Sequence, residues 1–149
     1  MPNYATIPQA QVYFDGRLNT EGWDTSSSVD KLKALTMATR TIDSLNYIGI
    51  KHIDDETQEN QFPRGDDTVV PQDIINACAE IALAYLNEFD IEEELSNLRV
   101  TSERYASIGV SYDPRIQSEY LLAGVPSKVA WDYLKPYLRD PRNIGLRKV

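Results

Sequence analysis

Cysteine and histidine occur once each in this 149-residue chain, as Cys78 and His52, and glycine occurs only seven times. A lone cysteine excludes an intramolecular disulfide framework and any zinc site built on several thiolates. A lone histidine excludes paired-His metal motifs such as H-E-x-x-H. The glycines are scattered singly, so no Gly-rich loop is available to cradle phosphates, and no serine sits in a G-x-S-x-G elbow. Positive charge is scarce as well: 15 Lys and Arg face 23 Asp and Glu, a net charge of −8 with a pI near 4.6. Proteins that grip nucleic acid through phosphates rely on clustered cations that release counterions, and the global balance here runs the other way. No apolar run approaches the ~18–20 residues of a membrane span. Met1-Pro2-Asn3-Tyr4 lacks the basic-then-apolar layout of a secretory signal. The expectation is a soluble protein of a reducing compartment with no membrane partner.

What is present is an ordinary globular mixture, 42% hydrophobic and 26% charged, at a length that fits one domain. Charge is unevenly placed. Residues 139–149 hold Arg139, Arg142, Arg147 and Lys148 against Asp140, so a short basic tail follows an acidic body spanning residues 1–138. Such a tail either docks on a partner or is a frayed, solvated terminus.

Hydropathy patterning predicts a mainly α fold, a small helical bundle around a central buried helix. Thr6 and Pro8 open a first helix that Asp15-Gly16 closes. Trp23, alone in a polar stretch, reads as a plug pinning that stretch to the core. Leu32, Leu35, Ala38 or Thr39, Ile42 and Leu45 draw one apolar stripe over a helix from Val29 to about Asn46, capped by Ser27 and terminated by Gly49. Residues 51–70 lack periodicity and form a long loop, with Phe62-Pro63 as its anchor. From Pro71 to about Phe89, two apolar rows (Ile74, Cys78, Ile81, Tyr85 and Ile75, Ala82, Leu86, Phe89) predict the central helix. Residues 98–122, rich in β-branched and aromatic side chains, read as a short β-hairpin or extended segments. A last helix, shortened by Pro136, covers Pro126–Leu138 and leads into the extended tail, residues 139–149.

Candidate chemistry is sparse. Asp54, Asp55, Glu56 and Glu59 beside His52 offer oxygens for a hard cation, but without the alternation or central Gly of a calcium loop they read as a solvated acidic stretch. Cys78, facing the core in mid-helix, reads as a small apolar residue. No metal, cofactor or catalytic set follows, and the protein is expected not to be an enzyme. Aromatic residues are the more informative class. Nine Tyr, two Trp and three Phe exceed what a small core needs. Tyr105, Tyr112, Tyr120, Tyr133 and Tyr137 share the last third with Arg99, Arg104, Arg115 and Arg139, a mixture typical of protein interfaces. Interleaved aromatics and cations also bind single-stranded nucleic acid, but Glu103, Asp113, Glu119 and Asp132 interrupt the set.

In this order, the Tyr-containing first helix (Gln9 to Phe14), Trp23, Ala34-Leu35-Thr36-Met37-Ala38-Thr39-Arg40-Thr41-Ile42-Asp43, Gly49, Gln61-Phe62-Pro63-Arg64, Val70-Pro71 before Asn76–Ala82, and Val129–Leu138 make a set. It resembles the head–tail adaptor (connector) proteins of tailed bacteriophages, a group that includes DnaT-like single-stranded-DNA-binding proteins. Asn60-Gln61 is polar where that family has a longer apolar stretch. The resemblance implies a single adaptor domain over residues 1–138 that forms a homo-oligomeric ring, commonly of twelve copies, beneath the portal. The ring would join the portal to a stopper or tail protein and line a channel that packaged DNA crosses without specific binding. It further implies a virion protein of the phage neck, made in the bacterial host cytoplasm and acting in tail assembly and genome ejection. Arg139, Arg142, Arg147 and Lys148 are then the expected portal contacts. Tyr105, Tyr112, Arg115, Tyr120, Phe62 and Arg64 are the expected inter-subunit contacts. The alternative is a DnaT-like single-stranded-DNA-binding protein.

Overall fold

A computed structural model of the chain describes residues 2–54, 56–109 and 119–139. The fold is mainly helical: α1 (Ile7–Asp15), α2 (Glu21–Asp24), α3 (Ser28–Asp43), α4 (Gln72–Leu86), α5 (Ile91–Ser107), α6 (Glu119–Leu122) and α7 (Lys128–Leu134), with a final 3₁₀ turn at Lys135–Tyr137. Helix starts follow local chemistry. Thr6 and Gln9 form a reciprocal capping box at α1, and the Ser27 and Ser127 hydroxyls accept the Asp30 and Ala130 N–H groups at α3 and α7. Pro71 precedes α4, where a missing N–H costs nothing.

Helix α4 is the axis of the bundle and packs chiefly against α3 and α7, with α1 and α2 closing its remaining sides. Ile74, Ala77, Cys78, Ala79, Ile81, Ala82 and Leu83 are all buried along it. The alanines let neighbouring helices approach, while a fully buried Ile81 contributes about 1.5–3 kcal/mol relative to an exposed one. Across from it lie Leu35, Ala38 and Ile42 of α3 and Ala130, Trp131 and Leu134 of α7. Trp23 plugs the core as its isolation implied: it is fully buried against Phe14, and its Nε1–H donates to Gln11 Oε1 at 3.0 Å.

Three expectations need correction. Residues 98–107 are not strands but the second half of α5, and 119–122 form α6; among the described residues pairing of β type is confined to isolated bridges. Residues 110–118 of the expected hairpin lie outside the described residues. The side chain of Asp90 explains the helix: its Oδ1 accepts the Glu92 and Glu93 N–H groups, three acids complement the dipole of the first turn, and Arg104 does so in the last. Leu32 is exposed rather than core-facing, because the buried face of α3 runs through Ala34, Leu35, Ala38, Thr39 and Ile42. Helix α3 also ends at Asp43 with Ser44 as its cap, short of Gly49. Gly49 (φ +81°) turns the loop that follows.

Candidate interaction surface

The long loop is a built structure. Tyr47 pairs with Leu138, and Lys51 with Arg64, in isolated antiparallel bridges. The Ile48 N–H donates to the Tyr137 carbonyl (2.9 Å), and the Arg139 N–H to the Asn46 carbonyl (3.1 Å). On its inner side Phe62, 3% exposed, sits edge-on among Tyr4, Tyr47 and Tyr137, with ring centroids 6.0, 4.6 and 5.6 Å away. A polar relay fixes the anchor: the Tyr4 hydroxyl donates to Asp43 Oδ1, Gln61 N–H donates to the same oxygen at 3.0 Å, and Phe62 N–H donates to the Tyr4 hydroxyl oxygen at 3.1 Å. Burial pushes the Asp43 carboxyl above the ordinary carboxylate range, against the pull of those hydrogen bonds. Burial, and then Asp43, raise the Tyr4 hydroxyl. Gln58 ties the interior together, donating to the Asn60 and Pro63 carbonyls at 2.9 and 2.8 Å and accepting the Ile53 N–H at 3.0 Å.

The outer side of the loop carries Ile48, Ile50 and Ile53, all exposed, with Ile50 at 77%. Gly49, Ile50, Lys51, Ile53, Asp54, Gln61 and Arg64 line a shallow concavity of about 420 Å³ there. Acidic residues of the loop serve its turns. The exposed Asp54 accepts the Glu56 and Thr57 N–H groups at 3.1 and 2.8 Å, and Thr57 foremost holds its carboxyl below the usual range. His52 Nδ1 lies 2.8 Å from the Gly65 carbonyl oxygen. Among the described residues no three His, Cys, Asp or Glu side chains converge on a metal position. Burial pushes the Cys78 thiol up to about 11, which leaves it a poor nucleophile.

The structure distributes the expected contact residues unevenly. Phe62 belongs to the core and is not available to a neighbouring subunit. Arg64 is spent on the loop itself: Nε donates to the Ile48 carbonyl (3.0 Å), one terminal nitrogen to the Gln61 carbonyl and Oε1 (3.1 and 2.8 Å), and the other to the Gly49 carbonyl (2.5 Å). Tyr120 is half-buried against the core, and burial raises its hydroxyl. Tyr105 falls on α5. Arg139 is exposed. Tyr112, Arg115, Arg142, Arg147 and Lys148 lie outside the described residues.

Apart from Tyr105, whose side chain lies outside the description, every aromatic ring of the described residues is buried or half-buried. What is exposed instead is aliphatic: Val12 and Leu18 from the first helix and its exit, Val29, Leu32 and Met37 along α3, the loop isoleucines, and Val100 on α5. Helix α5 makes its main element contact with α6, and among its described side chains none is fully buried and most of the second half is exposed. No described helix is long and apolar enough to cross a membrane.

Sequence reasoning missed Glu80, an acid inside the apolar run of α4 that is only 2% exposed. Arg17 meets it bidentately, Nε to Oε2 at 2.7 Å and Nη2 to Oε1 at 3.0 Å, and the Tyr13 hydroxyl donates to Oε2 at 2.5 Å. The signal was available: a single carboxylate flanked by Ala-Cys-Ala and Ile-Ala-Leu requires a cationic partner. This cluster ties α1 to α4 and serves the fold.

Comparison with known proteins gives one family. A family model described as "Putative DnaT-like ssDNA binding protein" matches residues 2–146. No curated protein and no solved structure matches the chain.

Proposed function

This chain belongs to the family described as putative DnaT-like ssDNA-binding proteins, and from that premise we propose that it is a structural assembly protein, the head-to-tail adaptor of a tailed phage. In that role it forms a ring beneath the portal and joins it to the stopper or tail. One observation supports the reading: the rings of Tyr4, Phe14, Trp23, Tyr47, Phe62 and Trp131 are buried and Arg17 and Arg64 are engaged within the fold, while aliphatic side chains are exposed on α3, the long loop and α5 of a chain with net charge −8. Such a surface gains free energy when another protein covers it. An acidic ring also suits a channel that DNA must cross without sticking.

Single-stranded DNA binding is the second reading, and the family's description favours it directly. Against it stand the net charge and the burial or half-burial of every aromatic ring whose side chain is described. The two readings separate cleanly. Light scattering of the chain with purified portal should give a complex carrying multiple copies of the chain. Titration with a labelled oligonucleotide at low and physiological salt should show no binding. Tight binding that weakens steeply with salt, with no portal complex, would establish the second reading instead.

A further inference from the structure

Helix α3 leaves one face uncovered. Val29, Leu32 and Met37 are exposed along it, and between them stand Lys33 and Arg40, also exposed and two turns apart on the same side. Residues 31–42 hold three cations and no acid, in a chain whose net charge is −8. Lys31 is engaged within its own chain, its Nζ 5.0 Å from the centre of the Trp23 ring. The corner between α4, α5 and α6 has the opposite character. Past Leu86 the chain reverses through Glu88 (φ +60°) into α5, α6 packs against α5, and an open groove of about 730 Å³ lies among them. Phe89, Ile91, Leu95 and the buried Leu121 give it an apolar floor, with Leu122 exposed on the lip. Glu88, Asp90 and Glu92 give it an acidic rim, Glu93 and Glu94 follow, and residues 88–98 hold no cation. Among the described residues, no carboxylate is within salt-bridge range of Lys33 or Arg40, and no cation is within range of Glu88 or Glu92.

We propose that the exposed face of α3 on one copy of this chain seats in the α4–α5–α6 groove of a second copy. The fit is that of an amphipathic helix in a groove: Val29, Leu32 and Met37 face the apolar floor, and Lys33 and Arg40 face the acidic rim. Apolar burial supplies the driving force, and charge sets the register. Like-to-like contacts are disfavoured, because two α3 faces bring cations against cations and two grooves bring acids against acids. The two patches differ, so each paired copy still offers one free helix face or one free groove. Addition therefore continues until a ring closes or a filament grows. This seam deepens the ring reading and rests on it for its use in the neck, whereas the contact itself is measured without portal.

Disulfide trapping between two chains tests it. Cys78 is buried, so Leu32→Cys in one chain and Leu122→Cys in another each add a single exposed thiol. Mild oxidation of the mixture at low salt should give the Leu32→Cys/Leu122→Cys heterodimer about tenfold faster than either homodimer. Adding Lys33→Glu and Arg40→Glu to the first chain should remove that preference. Adding Glu88→Lys and Glu92→Lys to the second chain as well should restore it, with helical circular dichroism unchanged throughout. Heterodimer formation no faster than homodimer formation, the outcome expected if a different protein fills the groove, overturns the proposal. Loss of preference on the first reversal without rescue by the second overturns it too. Portal binding is read on the wild-type chain by light scattering. A portal complex without the trapped heterodimer removes this seam and leaves the adaptor reading, and a trapped heterodimer without a portal complex does the reverse.

Discussion

Replacing Arg17 with Met would strand the Glu80 carboxylate inside the bundle, with only the Tyr13 hydroxyl still donating to it. Removing one partner of a buried pair costs ~3–5 kcal/mol. Arg17 retains 29% of its exposure, so solvent already screens part of the attraction, and about 2–4 kcal/mol is the appropriate expectation. For a domain of this size a loss of about 3 kcal/mol lowers Tm by roughly 6–12 °C. The distinguishing observation is the double variant. Arg17→Met with Glu80→Leu removes both charges, keeps volume against the α1–α4 contact, and should recover all but about 1 kcal/mol of the loss. Urea denaturation of wild type, both single variants and the double variant closes the cycle. If the double variant loses as much as the sum of the singles, the penalty comes from side-chain packing, and the argument from an uncompensated buried charge fails.

Asp43 gives a pH-dependent prediction. Its carboxyl is raised in the folded state, so its contribution to stability is fully present below the unfolded value and is lost as pH rises through the folded one. Wild type should therefore gain on Asp43→Asn as pH falls from 7 to 4, while the variant stays within about 1 kcal/mol at pH 7 because Asn can still accept from Tyr4 and Gln61; urea midpoints at both pH values check this, and a difference that does not change with pH contradicts it. Cys78 should resist a thiol reagent at pH 8 in the native state and react within seconds in denaturant, whereas rapid native labelling would place it at the surface. Ile50→Asp, at an exposed position, should leave Tm within about 1 °C yet remove assembly on portal, and unchanged assembly would take the loop's outer side out of the interface.

Where local chemistry decides the outcome, the sequence is readable: Thr6, Ser27 and Pro71 start helices, Trp23 plugs, and Ile74, Cys78, Ile81 and Ala82 of the two α4 rows are buried with Ile75, Tyr85 and Leu86 packed against them. Helix α5 was misread because Val100 and Thr101 suggested strands, although Asp90 followed by three glutamates is a helix start and Ile91, Leu95 and Leu98 keep helical spacing. Stripe-counting on α3 overreached at Leu32, since spacing alone fixes neither the width nor the phase of the face a neighbour covers. Phe62 and Arg64 carry the features of contact residues, a ring and a guanidinium beside a proline; Phe62 instead turns inward and Arg64 is engaged by its own loop, for reasons no local pattern contains. Their partners, Tyr4, Tyr47 and Tyr137 for the ring and the Ile48 and Gly49 carbonyls for the guanidinium, come from other parts of the chain.

The loop around Phe62 draws its fastenings from residues more than 130 apart in sequence: the Pro2 carbonyl accepts from Asn60, Tyr4 holds the Phe62 N–H, and Tyr137 supplies both a ring and a carbonyl. A nascent chain leaving the ribosome can wind its early helices as they emerge, but it cannot fasten this clasp until the last turn is free of the exit tunnel. Translation therefore delivers the isoleucine-bearing surface in its finished shape only after Tyr137 has left the exit tunnel, and a truncated product stalled before Tyr137 would present that surface unfastened.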